Sequence, residues 1–587
     1  MSRTRRVLVT ACSLLLLAGL SGCVELPESG PVVETEPSVE VEEQQAAAID
    51  AVPPQEGETA PAIVKGFLDA MTAYPVQTDV ATQFLAQQAQ AGWNPDDATI
   101  TYASADDPTV DPRTGEISVA LSDPESLDAR GGWQGPLPAD QQTLTFRMVV
   151  EDGEYRIAEA PDALIVPAQW FSQRFRQVSL YFFDRTSQIL VPEPVFVPRG
   201  RQLATTLIDG LLAGPGEKLA GVARSFLPGG LSVGLSVPVA EGVAEINLVG
   251  DAGQQNDEVV EKMLAQLVWT LRQEPSIDAV RLRIGDEEVR LPGGVSEYRV
   301  DDAPEFDPTG YQASLLLYGL RGGLLVSGEP DTLAPADGPF GETDYGLRSV
   351  AVNLRATSAA GVTSDGTSVV VGAVRAEAGE EEAQRVEQVV SGATSLMTPS
   401  WDFADRLWLV DRTRTGARVI VREDGRLSDV QVPGVTGENV RSFLVSRDAT
   451  RFAAVVRDAG VDRLLLGRVK VDFRGRVRRA VDVRTITFED TEPLRVTDIA
   501  WTSATSIALL SQVVPGELFE VRTVAVDGSP AGVEALSTTV NEQVVGLAGS
   551  PVPEAQQYAV TRNGLVDLTT SRVIGLEEAV TSLGYVG

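Results

Sequence analysis

The chain has no histidine in its 587 residues and only two cysteines, Cys12 and Cys23. Without imidazole there is no Ser-His-Asp or Cys-His catalysis, and no His-ligated zinc, copper or iron. Two cysteines so near the start exclude a disulfide framework and a paired-Cys metal site. Basic charge is also scarce. Four lysines (Lys65, Lys218, Lys262, Lys470) and 44 arginines face 83 acidic residues, for a net charge of −35. A nucleic-acid ligand would need a basic footprint that this balance does not supply, and close polybasic attachment to anionic lipid is excluded likewise. The acidic excess reads as a well-solvated surface. No P-loop or Gly-rich dinucleotide fingerprint is found, so with imidazole absent catalysis is not expected and no cofactor is implied. The apolar run Val7–Leu20 is shorter than the roughly 20 residues that a membrane-spanning helix requires.

That run follows Arg3, Arg5 and Arg6 and contains Leu14, Leu15, Leu16 and Leu17. A basic n-region ahead of a short apolar h-region is the layout of a secretory signal, with the general secretion route expected despite the adjacent arginines. It ends in Leu20-Ser21-Gly22-Cys23, which resembles the bacterial lipobox. Two small residues let an extended peptide enter the peptidase, and the thiol is the nucleophile that accepts the lipid. The resemblance implies cleavage before Cys23, residues 1–22 as signal peptide, and a lipid-anchored chain of about 565 residues on the extracytoplasmic face of the cell membrane. With Cys12 removed and Cys23 modified, no internal disulfide remains, so stability must come from packed cores. A chain of this length suffices for three or four domains.

Residues 24–60 carry ten acidic and no basic side chains, without aromatics or helical periodicity. With Cys23 they read as a lipidated cysteine on a disordered acidic tether, residues 23–60, spanning roughly 30–40 Å or more if charge repulsion extends it. Part of it is free to pack on the next domain. Residues 61–175 begin with an apolar stripe, Ile63, Val64, Phe67, Leu68 and Met71, and a second helix is expected over Val80–Ala91. Strands follow at 117–121 and 143–150, and Asp152-Gly153 turns the chain into 154–157 as a hairpin. Helices before a curved sheet predict an α+β domain resembling the NTF2-like cone, with a scaffold role.

Residues 176–300 alternate strands (178–183, 190–197, 242–248, 280–284) with helices over Gln202–Ala213, stopped by Gly214-Pro215, and Asp257–Gln273. Tyr181-Phe182-Phe183-Asp184, Leu211-Leu212-Ala213-Gly214-Pro215, Phe226-Leu227-Pro228 and Val268-Trp269-Thr270-Leu271 resemble, in order and spacing, the GerMN domain of sporulation and envelope proteins. The expectation is an α/β GerMN-like domain.

Residues 301–587 are rich in β-branched residues, glycines and turns. A unit recurs: Thr398–Asp402 before strand 406–410, Leu444–Asp448 before 451–456, Ile499–Ser503 before 506–510, and Leu547–Pro551 before 557–560. An earlier copy is expected at Asn353–Ser358 before 367–371. Ser400, Ser446, Thr502 and Ser550 are 46, 56 and 48 residues apart, a period suited to four-stranded blades. An all-β propeller of about five or six blades is expected, with a pair of β-sandwiches as the alternative. Trp401-Asp402 precedes its strand and so reads as a blade turn rather than a WD-repeat ending. The basic stretch 463–484 reads as a hairpin with one solvated face, since Val469, Val471 and Phe473 alternate with Arg468, Lys470 and Asp472. Its second reading is a contact surface for an acidic partner through Arg474, Arg476 and Arg478.

Lipobox, acidic tether, α+β domain, GerMN-like domain and propeller, in that order, resemble the LpqB lipoprotein family of actinobacteria over essentially the whole mature chain. The resemblance implies a non-enzymatic accessory of the MtrA–MtrB two-component system. Its partners would be the membrane, through the N-terminal lipid, and the extracellular domain of an MtrB-like sensor histidine kinase, with no nucleic acid. The implied function is modulation of two-component signalling that controls cell-wall homeostasis and division. Two alternatives are an envelope lipoprotein that binds cell-wall polymer without a kinase partner, and a secreted hydrolase using paired propeller carboxylates.

Overall fold

The computed structural model describes residues 50–587 apart from 201, 252, 254, 292, 377–384, 489–492 and 531–536. Leu20, Ser21, Gly22 and Cys23, and the tether as far as residue 49, lie outside the described residues.

The chain joins the first core at once. Ala51 packs on it, and Gly57 N–H donates to Glu154 Oε2 at 2.9 Å. Helix α1 (Ala60–Ala70) starts with Pro61, whose fixed φ suits a first turn, and buries Ile63, Val64, Phe67 and Leu68. The helix expected over Val80–Ala91 is broken into two four-residue turns, Asp79–Thr82 and Gln87–Gln90. The backbone between them is diverted to a strand: Ile157 N–H donates to Phe84 O at 2.9 Å and Ala86 N–H to Ile157 O at 2.8 Å. Those bonds replace the helical ones, and burial of Phe84 and Leu85 holds the segment in place. The strands form two small sheets. One orders Trp133–Pro136, Glu125–Asp128, Ala98–Tyr102 and Leu164–Pro167; the other centres on Ile117–Ser122, Thr143–Glu151 and Glu154–Glu159. Asp152 (φ 52°) and Gly153 (φ 88°) supply the two positive φ angles of a tight hairpin turn.

The second domain is built on a long hairpin, Phe175–Asp184 with Leu190–Pro198, and on a parallel pair, Val243–Val249 with Ala279–Ile284. Helix α2 (Leu203–Leu212) buries Leu203, Leu207 and Leu211. Helix α3 (Asp257–Leu271) is the crossover of the parallel pair, and the Asn256 side chain caps it by accepting from Val259 N–H at 2.9 Å. The helix ends at Leu271 rather than Gln273. Polar residues on and just after it complete the free edge of the long hairpin. Gln266 Nε2 donates to Tyr181 O at 3.0 Å, Tyr181 N–H donates to Thr270 Oγ1 at 3.2 Å, and the Gln273 amide both donates to and accepts from the Ser179 backbone at 2.7 Å. A buried strand edge must find such partners.

The third domain is a propeller of six four-stranded blades. Blade two begins at Leu347–Val352, blade three at Ser400–Trp401, blade four at Val440–Val445, blade five at Val496–Ser503 and blade six at Val544–Ala548. Blade one closes the ring by pairing Leu317–Arg321 with the C-terminal strand Thr581–Gly584. One register expectation needs correction. The strand after the Asn353 turn is Ser358–Thr363, and residues 367–371 lead into the third strand of that blade, Val369–Ala373. Asp365 makes a second tight turn there, accepting from Thr367 N–H at 3.0 Å, which doubles the hairpin within one blade.

Candidate functional site: the junction face of the propeller

Every recognised copy of the recurring turn joins the first and second strands of its blade. A short polar side chain caps each turn by accepting N–H groups a few residues on. Asn353 Oδ1 accepts from Thr357 N–H at 2.8 Å, Asp402 Oδ1 from Ala404 N–H at 3.0 Å, and Asp448 Oδ1 from Thr450 N–H at 2.8 Å. Ser503 Oγ accepts from Thr505 N–H at 3.1 Å, and Ser550 Oγ from Val552 N–H at 3.3 Å. Asp402 also receives Arg406 Nε (2.7 Å) and Trp408 Nε1 (2.8 Å). These turns bring the middle of the face to one point.

That point is Arg447. Its guanidinium is buried and donates to Thr309 O at 3.0 Å, Val586 O at 2.8 Å and Ser550 Oγ at 3.3 Å. It therefore ties blade four, blade six, the interdomain linker and the C-terminus together. Burial lowers its pKa to about 10, opposed only by Asp307.

The second domain sits on this same face. Arg451 pairs with Asp448 at 2.9 Å and also donates to Pro192 O across the seam. Gln177 Nε2 donates to Asp527 Oδ2 and Ser529 Oγ of blade five, both at 3.0 Å. The first domain meets the second through Arg130–Glu193 (2.8 Å), Lys218 Nζ to Trp133 O (2.7 Å) and Phe196 N–H to Gly131 O (2.8 Å). Gly131 is required there: its φ is +76°, and a Cβ would run into the Phe196 carbonyl.

The basic hairpin, Val461–Val471 with Val477–Ile486, reaches the seam. Its tip and the second domain enclose a cleft of about 160 Å³, lined among others by Asp184, Thr186, Arg406, Glu423, Asp448 and Arg474. Arg406 Nη1 donates to Gly475 O at 2.5 Å, and burial raises the Glu423 carboxyl. Arg474, Arg476 and Arg478 are exposed, as is Phe473 at 74 %. Arg474 lies over the Phe473 ring at 5.3 Å, and Arg478 pairs with Asp472 at 2.5 Å. The expected alternation fails at both ends: Arg468, expected in solvent, is only 7 % exposed, and Phe473, expected on the inward face, is exposed. Arg447, Arg451 and Gln177 carried no sequence signal that separated them from surface residues. The Ser446-Arg447-Asp448 turn was visible, but not where its arginine points.

Among the described residues no group of three or more acidic or thiol side chains is placed to hold a metal, and no helix is long and apolar enough to cross a membrane.

An α+β domain, a GerMN-like module and a six-bladed propeller in this order define a multidomain, mostly β protein. Three family models match it in order: the LpqB lipoprotein N-terminal domain at residues 53–172, the sporulation and spore germination domain at 179–290, and the LpqB lipoprotein β-propeller domain at 323–573. The lipoprotein LpqB of Thermobifida fusca is 28 % identical over 94 % of this chain and 94 % of its own, and that of Streptomyces coelicolor is 27 % identical over 92 % of each. The chain belongs to the LpqB lipoprotein family. Among solved structures, the first GerMN domain of the sporulation protein GerM from Bacillus subtilis is 26 % identical, covers 22 % of this chain and 99 % of its own, and superposes with a TM-score of 0.19. None of these matches bears on the NTF2-like detail of the first domain.

Proposed function

We propose that this protein is a non-enzymatic lipoprotein, held on the extracytoplasmic face of the cell membrane through Cys23, that binds the extracellular domain of a sensor histidine kinase and modulates two-component signalling in cell-wall homeostasis and division. The observation that carries this reading is the whole-chain LpqB domain order behind a lipobox. The polar seams support it: interlocked modules make one platform, and a platform presents a partner surface better than separate domains do. Anchoring raises the effective concentration of a membrane-bound partner, so weak intrinsic affinity suffices. The kinase is then biased by tighter binding to one of its signalling states.

The test is capture of the lipid-free chain by the purified kinase ectodomain and, in parallel, by purified peptidoglycan. Saturable binding to the ectodomain alone is expected. Retention on peptidoglycan with none on the ectodomain would replace this reading with polymer binding.

A further inference from the structure

We propose that a pocket between blades four and five of the propeller, beside its seam with the second domain, holds one small monovalent anion, of chloride size, against Arg451 and Arg468. This inference does not depend on the kinase reading. Three guanidinium groups converge in blade four. Arg451 on the second strand faces Arg468 on the third, and Arg484 on the fourth strand is in register with Leu466, two residues away. With Phe452, Leu466, Gly467, Asp482, Trp501 and Val526 they line a hole of about 10 Å³, the room of a single water-sized sphere.

The donors around the hole are not all used. Arg451 Nη1 is taken by Asp448 and its Nη2 by Pro192 O, while Arg484 Nη2 donates to Val526 O at 2.9 Å. Arg451 Nε and Arg468 Nη1 are buried and have no hydrogen-bond partner among the described residues. Both arginines are more than nine-tenths buried. Unmet donors on buried cations are costly. Arg451 has Asp448 as its counter-charge, whereas Arg468 makes no ion pair among the described residues, the Asp448 and Glu193 carboxylates that act on it being held by Arg451 and Arg130. Of the lining residues three are cationic and one, the exposed Asp482, is anionic. A water would satisfy the donors but leave the Arg468 charge without a contact partner. An anion supplies both. The size admits one atom, which excludes sulfate and carboxylates, and the apolar walls of Phe452, Leu466, Trp501 and Val526 suit a weakly hydrated halide. Burial and the neighbouring Arg451 also weaken the Arg468 hold on its proton, a shift that a bound anion opposes. Because Arg451 grips Pro192 with its other nitrogen, an occupied site firms the hold of the propeller on the second domain.

Two measurements test this on the full chain. Crystals grown with bromide replacing chloride, with data collected at the bromine absorption edge, should show an anomalous peak between Arg451 and Arg468. In solution, at fixed ionic strength, the melting midpoint should rise by several degrees and saturate with sodium chloride or bromide, but not with gluconate or sulfate. Arg468→Met should lose that halide response. A site refined as water with no bromide peak would overturn the proposal, as would a halide response of equal size in Arg468→Met. The bromide measurement on the unsubstituted chain stands even if that variant fails to fold.

Discussion

Arg447 is enclosed by the propeller and Asp498 is half-buried in it, and their surroundings answer them differently. Arg447 has three oxygen acceptors and holds four parts of the chain together. Asp498 accepts two backbone N–H groups, from Leu547 of the next blade and from Ile499, both at 2.9 Å, with no cation beside it. Burial outweighs those bonds and pushes its carboxyl up to about 6 from 3.8. As pH rises, the unfolded chain therefore ionises at this position first. The folded state binds the extra proton between about pH 4 and 6, so the contribution of Asp498 to stability falls across that window and is level outside it. Asp498→Asn removes this component. Urea midpoints at pH 4, 5, 6 and 7 should show the difference between parent and variant changing between pH 4 and 6. A difference constant over that range would refute the assignment.

Stitches between neighbouring blades belong to the scale of elements. Trp401 Nε1 donates to Ala351 O at 3.2 Å, and Trp501 Nε1 to Val445 O at 3.1 Å, each from the innermost strand of one blade to that of the blade before. Trp501→Phe keeps a ring in the core but orphans a buried carbonyl, and should cost about 1–3 kcal/mol. The denaturant midpoint of the propeller transition should drop accordingly, whereas an unchanged midpoint would mean that the indole N–H contributes nothing. The tip of the basic hairpin yields a second expectation. Reversing Arg474, Arg476 and Arg478 to glutamate should weaken capture of the kinase ectodomain several-fold with little change in melting, since all three are exposed. Equal capture would remove the hairpin from the contact surface.

What the sequence revealed about these elements follows from the range of the forces involved. Helix α1 was legible because its stripe of Ile63, Val64, Phe67 and Leu68 records one buried face. The blade period was legible because each turn needs a short polar cap: the capping Asp402, Asp448, Ser503 and Ser550 recur at nearly the spacing of Ser400, Ser446, Thr502 and Ser550. The break at Phe84–Leu85 was not, because a distant strand at Ile157 causes it. The Asn353 copy was assigned to the wrong strand because two capped turns follow one another within that blade. Arg468 looked solvated because alternation reports only the strand itself, whereas its strand partner Arg451 reaches Pro192, 259 residues earlier in the chain.

At the scale of the whole molecule, a chain with a net charge of −35 is built from three modules, the second joined to the propeller by a polar seam and to the first by ion pairs and by Phe196 packed on Trp133 and Phe171. Location is expected to rest on one residue. Cys23→Ala should shift the protein from the membrane to the soluble fraction, or leave it unprocessed, with its melting profile intact. Processed protein that stays membrane-bound would require a second anchor. The most direct test of the central claim is crosslinking in membranes of the native host with this lipoprotein as bait, followed by identification of the captured proteins. Recovery of a sensor histidine kinase, lost when its extracellular domain is deleted, is the predicted result. Efficient crosslinking that recovers envelope proteins but no sensor kinase would contradict it.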